Sequence, residues 1–500
     1  MSADASAASV SGQPELLGHP RGLWTLFLTE MWERFSYYGM RALLVLFMAE
    51  QVVNGGLGFT DATATAVYGL YTAAAYLVCL PGGWIADRLW GAQKALYIGG
   101  IIIMCGHFVL AVPGNTAFFG GLLLVVLGTG LLKPNISATV GELYAPGDAR
   151  RDGGFTIFYM GINIGAFLGP LVCGWLALQN WHYGFAAAGV GMLFGLIQFR
   201  ATRGHLGEAG LRTEHPASAE YARKAWLGIG LGLVVVAVLF TAGVTGTLSY
   251  DAPALARGMT YSVVIALAIY FGWVFAFGRL DDVERRRIVV IIVLVIACAL
   301  FWSGFEQAGS SLNLFAERYT IREFGGFEFP ASWFQSLNPF FIIVLAPLYS
   351  MFWVALAKRF LEPESPAKFA IGLITMGLGF VVMIPAAYIV ADGQQVLPTW
   401  LFFTYLLHTM GELALSPVGL SSITKLSPKR FVGQMMGVWF MCSGLGNVIA
   451  GLIAGELTGD DLGSIPGVYL RIVLITVGCG LLLLAFSRPL RKLMGHESRA

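Results

Sequence analysis

Some fourteen apolar stretches, each long enough to cross a bilayer as a helix, limit this chain to one kind of fold. The first is Leu23–Met48; others run at about 62–86, 94–112, 117–144, 153–178 and 183–200, then 225–248 and 256–278, then 286–316, 332–357, 367–391, 398–424, 431–456 and 466–487. A spanning helix needs roughly 20 predominantly apolar residues, so these segments specify an all-α polytopic membrane protein. Composition agrees: 57% of residues are hydrophobic and 12% charged, against about 25% charged in soluble domains, and the mean hydropathy is +0.71.

The spans fall into groups of six, two and six. Residues 201–224, ATRGHLGEAGLRTEHPASAEYARK, are too charged to span and are interrupted by Gly and Pro, which reads as a cytoplasmic linker. The expected organisation is a disordered cytoplasmic tail over 1–22, a six-helix bundle over 23–200, the linker over 201–224, two extra transmembrane helices over 225–278, a second six-helix bundle over 279–488 and a cytoplasmic tail over 489–500. Residues 1–20 lack the basic n-region and short apolar core of a cleavable signal. Charge placement tests the layout. Of 31 Lys+Arg, only Arg257, Arg318, Arg322 and Arg471 fall in loops on one side; three lie inside spans and the rest collect on the other side. The positive-inside rule then puts both termini in the cytoplasm. The six cysteines lie singly in apolar runs, and the net charge is only +2, so neither a metal, a cofactor nor a nucleic-acid partner is expected.

Ionisable groups inside spans cost on the order of 2.5–3.5 kcal/mol each near the bilayer centre, and they mark function. Once charges near span ends are set aside, Glu30, Glu33, Arg34, Arg41, Lys133, Glu306 and Glu412 remain. Four share the first span, where Glu30, Arg34, Tyr37 and Arg41 fall on one helical stripe with Glu33 and Tyr38 alongside. A simple ion-pair staple between helices would need fewer charges. Lys133 precedes Pro134, which either ends the helix and lets the lysine snorkel to the cytoplasm, or sits within a helix reaching about Tyr144. Glu306 and Glu412 are remote in sequence from other charges, so each needs an internal cation or a proton.

Gly83-Trp-Ile-Ala-Asp87-Arg88-Leu-Trp-Gly91 resembles the G-x-x-x-D-R-x-x-G signature of the major facilitator superfamily, whose glycines allow a tight turn and close helix approach. Glu30-x-x-Glu33-Arg34-Phe35-Ser-Tyr37-Tyr38-Gly39 is similar to the E-x-x-E-R-F-x-Y-Y-G motif of the proton-dependent oligopeptide transporter family. Further resemblances to that family are Phe155-Thr-Ile-Phe-Tyr-Met-Gly-Ile-Asn163, Phe301-Trp302-Ser-Gly-Phe305-Glu306-Gln307, Trp333-Phe-Gln335-Ser336-Leu-Asn338-Pro339, Gly411-Glu412-Leu-Ala-Leu-Ser416-Pro417 and Met435-Met-Gly-Val-Trp439-Phe440. Together they cover nearly all of the core. The tails, the linker and the extra pair of spans match no motif, although bacterial members are similar in having such a pair.

The resemblance implies a major facilitator fold of two six-helix bundles plus two extra helices, rocking about a midplane site. It implies a monomeric proton symporter of di- and tripeptides in the bacterial inner membrane, not an enzyme. Glu30, Glu33, Arg34 and Glu306 would carry proton coupling. Arg41 and Lys133 would hold the peptide carboxylate, and Glu412 with Asn163 and Asn338 the amine and backbone. Tyr37, Tyr38, Tyr76, Trp302, Phe305, Trp439 and Phe440 would form the walls, with Ser416 beside Glu412. Animal members carry a histidine on the second helix, whereas this chain has Val67-Tyr68-Gly69-Leu70-Tyr71, so coupling must use carboxylates. His107, His182 and His408 are read as ordinary helix or loop residues. Plant relatives that carry nitrate keep a second substrate open. G-x-S-x-G and HExxH patterns and paired aspartates on facing spans are missing, which argues against an intramembrane hydrolase.

Overall fold

The computed structural model describes residues 15–145, 147–213, 216–457 and 461–495. A two-strand hairpin, β1 (Glu15–Leu16) and β2 (His19–Pro20), precedes α1 (Arg21–Ala49). Then come α2 (Asp61–Leu77), α3 (Cys79–Ile85), α4 (Ala92–Leu110), α5 (Asn115–Glu142), α6 (Arg151–Ala177), α7 (Trp181–Thr202), α8 (Ala219–Val244) and α9 (Ala252–Phe277). The remaining helices are α10 (Asp282–Phe305), α11 (Ser311–Tyr319), α12 (Leu337–Lys358), α13 (Ser365–Ala391), α14 (Thr399–Leu426), α15 (Val432–Ala454), α16 (Ile465–Ala485) and α17 (Ser487–Leu493), with a small hairpin, β3 (Glu323–Phe324) and β4 (Phe327–Glu328), after α11.

In hydrocarbon a backbone must satisfy its own hydrogen bonds, and helices do so segment by segment. Among the described residues, twelve helical segments are long and apolar enough to cross a membrane. Two more, α1 with 29 residues and α14 with 28, are equally long, and they are the ones that carry Glu30, Glu33, Arg34, Arg41 and Glu412. Polar caps stand at several span starts. Asn180 accepts from the His182 amide, Ser218 from the Tyr221 amide, and Asp281 forms a reciprocal capping box with Glu284.

The chain forms two compact units. One takes residues up to Leu43 and Leu77–Asp251; the other takes Leu44–Tyr76 and everything from Ala252. These units are drawn differently from the expected bundles over 23–200 and 279–488. Residues 44–76 belong with the second unit because α2 is paved with small residues there. Ala66 and Ala73 pack with Ala252, Ala256 and Val448, and a side chain on Gly69 would come within 2.9 Å of the Asn447 carbonyl. Arg318 completes the seam with paired bonds to Asp61 at 2.6 and 2.7 Å.

The extra helices are likewise not one module. α8 has no buried residue and meets the first unit through Trp226 on Trp90 and Tyr221 on Trp84. α9 belongs to the second unit, where Tyr270 donates to Gln434 at 3.0 Å and Arg430 donates to the Gly278 carbonyl.

The described parts of the expected tail and of the expected linker are docked on the first unit. Where a disordered tail is expected over 1–22, residues 15–20 form the β1–β2 hairpin and Arg21 starts α1; residues 1–14 lie outside the described ones. Arg150 bonds Glu15 at 2.7 Å and the Gly18 carbonyl at 3.3 Å, and its hydrogen bonds hold Asp148 below the usual carboxylate range. His19 and the Tyr144 hydroxyl share a 2.9 Å bond. The 201–224 linker begins inside α7 and then folds back onto the first unit. Gln93 donates to the Gly210 and Ala209 carbonyls at 2.8 and 2.6 Å, Glu142 accepts from the Gly210 amide at 2.8 Å, and Ala217 donates to the Arg88 carbonyl. Gly91, at φ +79°, is needed twice over, since a side chain there would also lie 2.7 Å from the Leu211 carbonyl. At the far end, α17 occupies part of the expected 489–500 tail.

Candidate functional site

In the first unit, glycines on α6 set the stage. Gly161, Gly165 and Gly169 recur one turn apart and face α1: a side chain on Gly165 would lie 2.1 Å from the Met31 carbonyl, and one on Gly169 2.4 Å from that of Phe35. The backbones therefore meet across the motif stretch of α1. Gly165→Ala is expected to lower stability by about 1–3 kcal/mol through overpacking. Gly228→Ala on α8, where nothing lies within 4 Å, is expected to be neutral or stabilising by up to about 1 kcal/mol. Thermal unfolding of the two variants in one detergent compares them.

This close packing buries Glu30, Glu33 and Arg34, at 3%, 0% and 4% exposure. Arg34 Nε stands 2.8 Å from Glu30 Oε1, to which it donates, and 2.7 Å from Glu33 Oε2, so one guanidinium nitrogen lies against two carboxylates. Glu30 Oε2, both oxygens of Glu33 and Arg34 Nη2 make no hydrogen bond among the described residues. The same stripe continues outward. Arg34 lies over the Tyr37 ring and Arg41 over the Tyr38 ring, each 5.5 Å from the centroid, and the two tyrosines meet edge to face.

α5 runs through Pro134 to Glu142, so the proline does not end the helix. Half-buried Lys133 lies within electrostatic reach of Glu33, Arg34, Tyr38 and Cys79. Asn163 is buried on α6, where its amide donates to the Tyr159 carbonyl at 2.9 Å.

In the second unit the helix breaks at the predicted glutamate. α10 ends at Phe305, Glu306–Gly309 form one tighter turn, and α11 begins at Ser311. Polar side chains satisfy the freed backbone. Gln307 donates to the Ser303 and Ala450 carbonyls at 3.1 Å, Ser310 to that of Glu306 at 3.2 Å, and Tyr405 to that of Ala308 at 3.2 Å. Discontinuous helices of this kind mark ion and substrate sites in transporters. Glu306 is 3% exposed and accepts from the Tyr68 hydroxyl at 3.2 Å.

The other glutamate is grouped with an amide. Asn338 Nδ2 donates to Glu412 Oε2 at 2.8 Å and to the Thr409 hydroxyl at 3.1 Å, and Ser416 follows Glu412 by one turn of α14. Trp302 and Phe305 meet edge to face at 5.2 Å, and Phe305 faces His408 at 6.5 Å, one turn before Glu412. Trp439 is set inward, against Phe369 and over Gly419, where a side chain would lie 2.1 Å from the indole. Tyr76 and Phe440 are half-buried. Tyr68, Thr409, Gln307 and Tyr405 were not expected. Two of them had a signal in sequence: Gln307 closes the Phe301–Gln307 motif, and Tyr68 is the hydroxyl in the stretch where animal relatives place histidine.

A multispan helical fold with charges sequestered on α1, α5, α14 and a broken α10 defines a membrane transporter rather than an enzyme. The POT family matches residues 93–462, and the chain belongs to that family. A peptide transporter of Yersinia enterocolitica is 43% identical over 504 residues, covering 98% of each chain. A di-/tripeptide transporter of Lactococcus lactis subsp. cremoris is 36% identical over 490 residues, covering 96% of this chain and 97% of its own. A crystal structure of a peptide transporter POT in complex with sulfate superposes with a TM-score of 0.92 at 41% identity, covering 99% of this chain and 100% of the other. A POT family transporter in complex with 5-aminolevulinic acid gives 0.88 at 34% identity, covering 96% and 99%. These matches place the chain in the major facilitator fold.

Proposed function

We propose that this transporter imports di- and tripeptides with protons, by alternating access, across the bacterial inner membrane, with both termini cytoplasmic and one chain as the working unit. The observation that carries the reading is the α1 cluster: two buried carboxylates lie against one guanidinium nitrogen while three of their oxygens lack a hydrogen bond. Such oxygens are ready to hold a proton, and they release it when a cation approaches. Glu306, at the break in α10, is the third coupling carboxylate.

A peptide offers an ammonium, a carboxylate and variable side chains, so a broad site grips the ends. Arg41 and Lys133 take the carboxylate; Glu412, with Asn338 and Asn163, takes the amine and backbone. Tyr37, Tyr38, Tyr76, Trp302, Phe305, Trp439 and Phe440 supply the walls, with Ser416 beside Glu412. The names of the Yersinia and Lactococcus relatives support peptides. Nitrate would suit the basic residues but brings no ammonium to the Glu412–Asn338 pair.

Proteoliposomes with an inward proton gradient test both substrate and energy source. One pH unit is worth about 1.4 kcal/mol per proton, so coupling to one proton concentrates labelled dialanine up to about tenfold. Tripeptides of varied side chain are expected to compete, and free amino acids and nitrate to compete poorly. Equal competition by free amino acids would overturn the two-ended grip, and nitrate accumulation without peptide uptake would establish the alternative.

A further inference from the structure

In the second unit, α10, α16 and α17 enclose an apolar groove of about 490 Å³ that is separate from every residue assigned above. Ile296 and Leu300 form one wall, Leu482 and Phe486 the other, and Leu490 and Leu493 of α17 close one end. Ile296, Leu482 and Phe486 are 55%, 61% and 59% exposed, so the groove opens sideways toward lipid.

The closed end carries several cations, with Asp281, Asp282 and the Arg430-paired Glu284 at the start of α10. Arg488, Arg491 and Lys492 lie on α17, interleaved with the groove residues Leu490 and Leu493. On α10, Arg286 precedes the groove residue Val293 by seven positions, which is two turns along the same stripe. Arg287 ties the two elements together by donating to the Met494 carbonyl at 3.2 Å. Arg286, Arg488, Arg491 and Lys492 form no ion pair among the described residues. Apolar walls thus run into a cluster of cations, on the side that the arginine and lysine distribution marks as cytoplasmic.

We infer that this groove is a binding site for an anionic phospholipid of the inner leaflet. An acyl chain lies between α10 and α16, and the phosphate meets Arg286, Arg488 and Lys492. The charge complementarity selects the occupant: a zwitterionic lipid gains little from the cations, and a free phosphate gains nothing from the walls. Each basic residue near an anionic lipid is worth about fivefold in affinity, so neutralising three lowers it on the order of a hundredfold.

Native mass spectrometry and fluorescent-lipid titration of the detergent-purified full chain test this. Phosphatidylglycerol is expected to bind one per chain and to outcompete phosphatidylcholine of the same chains. The triple variant Arg286→Gln, Arg488→Gln, Lys492→Gln should lose that preference. Ile296→Trp, which fills the groove and keeps every charge, should also weaken phosphatidylglycerol binding; Leu482→Trp, from the opposite wall, is the second groove-filling variant. Only variants that elute as single species and unfold within a few degrees of the parent are compared. Equal retention of phosphatidylcholine would overturn the site. So would full binding by both tryptophan variants, which would leave only a charged surface, or displacement by glycerol phosphate as effective as by the lipid, which would leave only a free-anion site.

Discussion

Liposomes holding Glu30→Gln, Glu33→Gln or Glu306→Gln are expected to show no accumulation of labelled dipeptide under an inward proton gradient, yet to retain peptide-for-peptide counterflow. Gln keeps the shape of Glu but cannot exchange a proton. Uptake against a gradient requires net proton entry, and counterflow does not. The accumulation ratio should fall from about tenfold per pH unit for one coupled proton to about one. Glu412→Gln should behave differently. Its carboxylate, bonded to Asn338 at 2.8 Å, is assigned to the peptide amine, and losing a hydrogen bond to a charged group weakens affinity about 10- to 100-fold in both assays. Identical failure of all four variants in counterflow would remove the division between coupling and recognition and leave the carboxylates as structural.

Arg34→Leu is expected to be the most destabilising single substitution in the first unit. The guanidinium contacts two carboxylates that are almost wholly buried, and deleting one partner of a buried ionic group costs about 3–5 kcal/mol, because the other charge is left uncompensated. Adding Glu30→Gln and Glu33→Gln to Arg34→Leu should recover much of that loss. Denaturation of the four proteins in one detergent gives the cycle. Strict additivity would mean that the three residues do not act as a unit. Arg34→Lys should be intermediate, since an ammonium keeps the charge but lacks the Nε placed against both glutamates.

Spans were readable because the bilayer imposes a length and a composition that no packing detail disguises. The charges on α1 were readable for the same reason: four of them cannot sit in lipid by accident. What escaped depends on partners far away in sequence. Nothing near Tyr68 predicts that its hydroxyl meets a glutamate 238 residues later. Pro134 left two outcomes open, and the packing of α5 chose the continuous helix. The docked linker was hidden because its contacts are mainly backbone groups, at Gly210, Ala209 and Ala217, and its composition reports only solvent. The hairpin at 15–20 depends on Arg150, whose role cannot be read from a polar tail.

The inclusion of residues 44–76 in the second unit has a consequence for how the protein is made. Asp61 meets its partner only when Arg318 has been synthesised, 257 residues later, and the Asn447 surface against Gly69 follows later still. At about 5–20 residues per second, the outer half of α2 waits on the order of tens of seconds in the membrane with its small-residue face uncovered. During that interval the nascent chain depends on the insertion machinery or on lipid to shield the face, so ribosome stalling between residues 250 and 317 should leave an intermediate that is inserted but lacks the Asp61–Arg318 pair and is accessible to proteases.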